Sequence, residues 1–140
     1  MGNSQTINKI NFEDMQFIMK TDQKYIIINT LGEQEQSCLL PKTVKAHEEV
    51  ELLTNLLKMG RKDVRLVVYG RNCNDDKAYA KYNQLLSLGF SNVSVYPGGL
   101  FEWLLLQDIF GVGEFPTTKK ELDILKYKPT KRLGVQLLEY

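Results

Sequence analysis

The residues best suited to chemistry lie in one short polar segment, residues 70–76, where Cys73 is the candidate nucleophile. A cysteine reacts as its thiolate, which a helix N-terminus or a nearby cation such as Arg71 favours by lowering the thiol pKa. Asp75 and Asp76 act in the opposite direction, because they stand where a helix is predicted to begin and would satisfy the N–H groups that stabilise an anion. The segment therefore combines a candidate nucleophile with groups that suppress it.

The other chemistry-bearing residues are isolated along the chain. His47, the single histidine, falls in the polar start of a predicted helix, and we interpret it as a surface residue. Cys38 is interpreted as a small buried apolar residue on a strand, with the alternative that it resolves an oxidised Cys73. We predict neither a metal site nor a cofactor.

Three short apolar runs predict the strands that would position this segment. They are YIIIN, VRLVVYG and VSVY, and they predict strands at residues 25–29, 64–69 and 93–96. Their apolar side chains are continuous rather than alternating, which is typical of strands covered on both faces. We therefore expect these strands to be neighbours in a mainly parallel sheet.

Helical spacing of apolar residues separates and flanks these strands. It occurs in four segments, at residues 11–20, 46–59, 76–88 and 100–110. Asn11 is a candidate N-cap for the first segment, and the apolar stripe of the second includes Val50. Alternating strands and helices predict an α/β domain of three layers, with the sheet flanked by helices.

The length of 140 residues suits one domain, and we place its boundaries from composition. Residues 1–10 are polar and lack apolar periodicity, so they predict a flexible arm with few core contacts. Residues 11–140 are predicted to form the single domain, with a C-terminal extension from about residue 111.

The C-terminal extension has its own pattern. Thr118 and Glu121 have the spacing of a capping box, which predicts one short helix over residues 118–126. The final residues, 133–140, are predicted to form either an added strand or a docked tail.

The composition excludes several classes of protein. Eighteen Lys and Arg against seventeen Asp and Glu give a net charge of +1, without the basic excess that general nucleic-acid binding needs. No apolar run approaches the roughly 20 residues that span a bilayer. Two cysteines are too few for a disulfide framework, and we expect a cytoplasmic protein.

The first residues fit a lipidation pattern. Met1, Gly2 and Thr6 match the MGxxx(S/T) pattern for N-myristoylation, which would place the acyl chain on Gly2. The pattern is short, so a chance match is the alternative. A single acyl chain gives only reversible binding, and the expected consequence is weak membrane association.

The segment VSVYPGGLFEW, residues 93–103, resembles the C-terminal signature of the rhodanese-like family. In that signature a strand ends in an aromatic residue, followed by two small residues and a helix bearing Glu and an aromatic. The matching residues are Val93, Tyr96, Pro97, Gly98, Gly99, Glu102 and Trp103. Leu100 departs from the family's preferred aromatic. Upstream, LVVYG with its polar loop and a helix ending in LGF is similar to the family's active-site region, so the resemblance covers about residues 25–110.

The resemblance implies a sulfurtransferase fold and a particular site. Rhodanese-like sulfurtransferases carry sulfur as a persulfide on a cysteine directly after the active-site strand, cradled by backbone N–H groups of a loop. Gly70 stands at that position here, whereas the spacing of 16 from Cys73 to Gly89 fits the family count. The implied catalytic residue is Cys73, in an active-site loop of Gly70, Arg71, Asn72, Asn74, Asp75 and Asp76.

Two functions remain open at this point. The first is a rhodanese-like domain that is catalytically silent or weakly active and acts as an interaction or regulatory module, which Gly70 favours. The second is a persulfide-forming sulfurtransferase that uses Cys73. Either would need a protein partner or a sulfur acceptor that the sequence does not identify. A phosphatase of the cell-cycle type, which shares the fold, would need an arginine at the loop end, and none occurs between Cys73 and Tyr82.

Overall fold

The computed structural model describes residues 6–134, and its centre is a parallel sheet. The strands are β1 (Ile26–Asn29), β2 (Thr43–Val44), β3 (Leu66–Tyr69) and β4 (Val93–Tyr96). Their order is β2-β1-β3-β4, and all three neighbouring pairs are parallel. The predicted parallel sheet is thereby confirmed. The lipidation prediction at Gly2 and most of the predicted tail, from residue 135 onward, lie outside the described residues.

Within residues 6–134, four α-helices flank the sheet, each close to its predicted limits. They are α1 (Phe12–Lys20), α2 (Ala46–Lys58), α3 (Asp76–Ser87) and α4 (Gly99–Phe110). The predicted N-cap of α1 is present as a capping box, since Asn11 and Asp14 exchange side-chain-to-backbone hydrogen bonds. None of the helices within residues 6–134 is long and apolar enough to cross a membrane.

The two faces of the sheet bury separate apolar clusters. Ile27 and Val67 face a cluster that includes residues of α1 and α4. Ile26 and Val68, their sequence neighbours, face the cluster formed with α2 and α3. Because successive strand residues point to opposite faces, a run of consecutive apolar residues supplies both cores. Each fully buried aliphatic side chain contributes about 1.5–3 kcal/mol, which stabilises the three-layer arrangement.

The predicted helix over residues 118–126 is wrong. Thr118 pairs with a distant part of the chain instead of capping a helix. Its backbone N–H donates to Leu39 O at 2.8 Å, and its hydroxyl donates to Ser37 O and accepts from Leu39 N. The regular structure in this part of the extension is one 3₁₀ turn, Ile124–Tyr127. Long-range hydrogen bonds thus replace the capping box.

The buried face of α2 differs from the predicted stripe. Val50 is 74% exposed, whereas Glu49 is buried beside the apolar residues Leu53 and Leu56. The Glu49 carboxylate is compensated by Lys81 of α3, whose Nζ lies 2.5 Å from Oε2. A buried carboxylate is tolerated here because a cation from the neighbouring helix pairs with it.

Part of the predicted arm is docked on the sheet. Of residues 1–10, the structure describes 6–10. Val95 N donates to Asn8 O, and Ile10 N donates to Val95 O, each at 2.9 Å. Asn8 N also donates to the hydroxyl of Tyr82. The expectation of few core contacts is wrong for these residues, because backbone groups pair with β4 and the side chains of Ile7 and Ile10 pack against the two core clusters without forming a periodic pattern.

Candidate functional site

The candidate site is the loop between β3 and α3, residues 70–75, which we call the site loop. It lies at the carboxyl edge of the sheet, where the segments that follow parallel strands meet. Thr30, which follows β1, and the residues that open α4 after β4 both reach it. Sequence reasoning did not single out Thr30, although its position directly after a central strand was the available signal.

Asp75 closes the site loop from inside. It is the N-cap of α3, and its Oδ1 accepts a hydrogen bond from Lys77 N at 2.9 Å. Its Oδ2 accepts from Arg71 N at 2.9 Å and from the Thr30 hydroxyl at 3.4 Å. One carboxylate therefore ties the start of the loop, the start of the helix and the end of β1 together. Asp75 thereby uses the backbone N–H groups of Arg71 and Lys77, to which an anion bound at this helix N-terminus would otherwise form hydrogen bonds.

Gly70 leaves room for that carboxylate. A Cβ at this position would lie 2.2 Å from Asp75 Oδ2 and 2.9 Å from Thr30 Oγ1. Both distances are shorter than ordinary van der Waals contact, so a side chain at residue 70 and the present Asp75 rotamer exclude one another. The Asp75 carboxylate therefore occupies the space beside the end of β3.

Cys73 lies at the exposed tip of the site loop. Its Sγ is 3.8 Å from Asn74 Oδ1, a side-chain oxygen rather than a backbone N–H. The loop around it is organised by Asn72, whose side-chain oxygen accepts from Asn74 N and whose carbonyl accepts from Asp75 N. The predicted loop residues lie together, with the Cys73 sulfur on the solvent side and the Asp75 carboxylate on the inner side. A catalytic role for Cys73 stays a prediction.

The two predicted acids of the loop differ in position. Asp75 points into the loop, whereas Asp76, the first residue of α3, is exposed. Only the first of them takes the backbone N–H groups that surround the strand end. The sequence analysis could not distinguish Asp75 from Asp76, because the path of the loop determines which acid faces inward.

The C-terminal extension covers the outer side of the site loop. The Arg71 guanidinium pairs with the Glu35 carboxylate, donates to Lys126 O and lies over the ring of Tyr127, 5.2 Å from its centroid. Asn72 Nδ2 donates to Tyr127 O at 2.8 Å. Arg71 is therefore committed to structural contacts. Tyr127 and Glu35 were missed from the sequence, because nothing near them in the chain indicates this long-range contact.

The first turn of α4 packs on the loop backbone. Gly99 has a φ of 69°, and a Cβ there would lie 2.7 Å from Gly70 O and 2.9 Å from Asn72 N. Leu100 N and Phe101 N donate to loop carbonyls at 2.9 and 2.8 Å. The second glycine of the signature is thus required by both backbone conformation and close approach.

The aromatic residues of the signature are part of the core. Trp103 is fully buried, and its Nε1 donates to Pro116 O at 2.8 Å. The Tyr96 hydroxyl donates to Glu102 Oε1 at 2.5 Å, and burial together with that carboxylate raises the pKa of Tyr96 above its usual range. Both residues anchor α4 on β4, since Tyr96 also lies edge-on to the Trp103 ring.

The remaining candidates lie apart from a reactive cluster. Cys38 is 2% exposed and lies in an irregular segment, so its predicted placement on a strand is wrong. Burial raises the pKa of the Cys38 thiol. His47 is exposed, as expected, beside Glu48. Among residues 6–134, no three His, Cys, Asp or Glu side chains are grouped so that they could hold a metal ion.

Comparison with solved structures shows that the fold is similar to that of sulfurtransferases. The thiosulfate sulfurtransferase of Pseudomonas aeruginosa matches with a TM-score of 0.58 and 15% identity, over 86% of this chain and 23% of that one. The Alr3790 protein of Anabaena sp. matches with a TM-score of 0.57 and 20% identity, over 84% of each chain. The single-domain sulfurtransferase RDL2 of Saccharomyces cerevisiae has a TM-score of 0.53 at 14% identity, over 78% of this chain and 98% of that one.

Of the two sequence comparisons, one finds a match, and that match agrees with the fold. A search of curated proteins finds no significant match. The family model described as Rhodanese-like domain matches residues 37–106, which include β3, the site loop, α3, β4 and most of α4. With that match and the packed signature around Trp103, the chain belongs to the rhodanese-like domain family.

Proposed function

We propose that this chain is a rhodanese-like domain without efficient sulfur transfer, which acts as an interaction or regulatory module. The observation that supports the proposal is the position of the Asp75 carboxylate, which binds Arg71 N and Lys77 N and fills the space next to Gly70. A scaffold can keep its packing while its chemistry changes, because fold and function are separable.

The chemistry of sulfur transfer explains why this carboxylate matters. A cysteine thiolate attacks the outer sulfur of thiosulfate, a new S–S bond forms on the protein, and the S–S bond of thiosulfate breaks with release of sulfite. Both the attacking thiolate and the donor are anions, so the site must offer unpaired N–H donors or cations. Here Asp75 takes two of the donors, and Arg71 is paired with Glu35. The proposed consequence is weak or absent turnover.

A sulfurtransferase that uses Cys73 is the second candidate. It is favoured by one observation: the thiol is exposed at the tip of the site loop, where a donor can reach it. In that case Cys73 would hold the persulfide, and an unidentified acceptor would remove the outer sulfur.

The two candidates are separated by an assay of thiosulfate-to-cyanide sulfur transfer on the full chain. We expect thiocyanate formation at most slightly above a protein-free blank and far below that of a thiosulfate sulfurtransferase, with the same result for Cys73→Ser. Intact mass after thiosulfate treatment should show no added sulfur atom. A thiosulfate sulfurtransferase run in parallel controls the reagents.

The matched control for the thiol is Cys38→Ser, which removes the other cysteine. Turnover that persists in Cys38→Ser and disappears in Cys73→Ser would overturn the proposal in favour of the sulfurtransferase. A stable persulfide on Cys73, located by peptide mass, would lead to the same conclusion.

A further inference from the structure

A cleft of about 760 Å³ lies between the site loop and the C-terminal extension. Its cations come from both walls: Arg71 from the site loop, and Lys126, Lys128, Lys131 and Arg132 from the extension. We call it the basic cleft. The fold-defining elements end before residue 111, so this feature is created by the extension packing over the loop.

The charge of the whole chain is unevenly distributed around the basic cleft. Residues 117–133 contain six Lys and Arg and two Asp and Glu, a net charge of +4. Residues 1–116 contain twelve Lys and Arg and fourteen Asp and Glu, a net charge of −2. The overall value of +1 therefore hides a local positive field, which attracts anionic partners at moderate ionic strength.

Three of the cleft cations are available to a partner. Lys128, Lys131 and Arg132 are exposed, and within residues 6–134 none of them forms an ion pair. Lys126 is already paired, because its Nζ lies 2.8 Å from Glu121 Oε1. The hydrogen bond to Glu121 raises the pKa of Lys126. Among residues 6–134, the one acid that lines the cleft is Asp75, and both of its oxygens already accept backbone hydrogen bonds.

We propose that the basic cleft binds an acidic segment of a partner polypeptide, with carboxylates paired to Lys128, Lys131 and Arg132. The inference rests on the proposed function, because it names the kind of partner that the interaction module would take. The available charges belong to three separate residues along the extension that line one cleft, which suits a ligand with several separated charges. A compact oxyanion would instead need the convergent N–H donors of the site loop, which Asp75 already uses.

Nucleic acid and membrane fit the basic cleft less well. Single-stranded nucleic acid needs exposed aromatic rings for stacking, and Tyr127 is 1% exposed and lies against Arg71 and Lys126. Duplex binding requires a broad basic surface, whereas the rest of the chain is net negative. An anionic bilayer presents a flat surface, and these cations line a concave one.

The test measures binding of a short fluorescein-labelled peptide in which Glu alternates with Gly, by anisotropy on the full chain. Lys128→Glu with Lys131→Glu should weaken binding about tenfold, since two attractive pairs become repulsive ones. The matched control is Lys24→Glu with Lys62→Glu, which changes the net charge equally at exposed positions away from the basic cleft. We expect this control to bind within about twofold of wild type.

Several outcomes would overturn the inference. They are the absence of peptide binding by wild type at low salt, equal losses in the two double variants, and tighter binding of an oligonucleotide or of phosphatidylserine vesicles. The sulfur-transfer assay on the same samples separates this inference from the proposed function. Absent turnover with absent peptide binding refutes only the cleft, whereas turnover that depends on Cys73 refutes the proposed function.

Discussion

Two strand-to-helix turns lie side by side at the carboxyl edge of the sheet, and different forces fix them. The turn after β4 has two residues, Pro97 and Gly98, before α4 begins. It is fixed by backbone geometry, above all at Gly99. The site loop after β3 has six residues and is fixed by side chains, mainly Asp75 and Asn72.

The difference shows which family features a scaffold must keep. Gly99 lacks a Cβ because the backbone of the site loop, at Gly70 and Asn72, lies against it. That contact depends on the path of the loop and not on the loop's side chains. The signature around α4 can therefore be retained while the space at the end of β3 is filled by a carboxylate. Resemblance in the turn after β4 is evidence for the fold, whereas chemistry must be argued from the site loop.

The largest effect should come from placing a side chain at the backbone-fixed turn. Gly99→Ala should lower the free energy of unfolding by about 2–4 kcal/mol, because a φ of 69° is strained for alanine and its Cβ would approach Gly70 O to 2.7 Å. Urea unfolding followed by circular dichroism measures the loss. Gly113→Ala is the control, since a Cβ there has nothing within 4 Å, and it should stay within about 1 kcal/mol of wild type. Equal losses in the two variants would show that close approach does not fix this turn.

A side chain at the strand end should have the next largest effect. Gly70→Cys should cost about 1–3 kcal/mol, because its Cβ and the Asp75 carboxylate claim the same space. In an Asp75→Ala background the same substitution should cost less, so a double-mutant cycle should give a coupling of about 1 kcal/mol. Additive losses in the cycle would contradict the steric argument.

The same substitution tests the chemical part of the comparison. Gly70→Cys alone should not restore full sulfur transfer, because Asp75 still holds the N–H groups of Arg71 and Lys77. Thiocyanate formation from thiosulfate and cyanide measures the result. Full recovery by this one change would show that the missing nucleophile was the only defect.

The two neighbouring acids of the site loop should differ in their effects on stability. Asp75→Ala removes three hydrogen bonds, one of which is the N-cap contact of α3, and should cost about 1–2 kcal/mol in urea unfolding. Asp76→Ala removes only an exposed charge at the first turn of α3, with an expected cost of about 0.3–1 kcal/mol. A larger loss at Asp76 would mean that the inward-facing acid has been misidentified.

These contrasts explain what the sequence could predict. In the part of the chain that the structure describes, the three longer strands and the four α-helices were predicted within about two residues, because continuous or periodic apolar residues report burial directly. β2 has only two residues and shows no such pattern. Thr118 matches a capping box locally, but its hydrogen bonds go to Ser37 and Leu39.

The site was less predictable than the fold because its contacts, like those of Thr118, join residues that are distant in the chain. Its residue types and its position after β3 were evident, and Gly70 marked the departure from the family. What the sequence could not give was direction: Asp75 inward, Cys73 outward, and Arg71 under the extension. Those directions depend on contacts with Thr30 and Tyr127, which are distant in the chain.

The smallest effect on stability is expected at Cys73. Its sulfur is exposed and makes one weak contact with Asn74, so Cys73→Ser should change the free energy of unfolding by no more than about 0.5 kcal/mol.

The two thiols should nevertheless differ strongly in reactivity, which reports the orientation of the site loop. In the folded chain at about pH 8, an aromatic disulfide reagent should modify Cys73 rapidly and Cys38 slowly. Burial blocks access to Cys38 and raises its pKa, so less of it is thiolate at any pH below that value. Denaturant should make the two rates similar, and Cys73→Ser should abolish the fast phase. A fast phase that survives in Cys73→Ser would place an accessible thiol elsewhere, and a folded wild-type chain with no fast phase would mean that Cys73 faces into the loop, where it could contribute to sulfur chemistry.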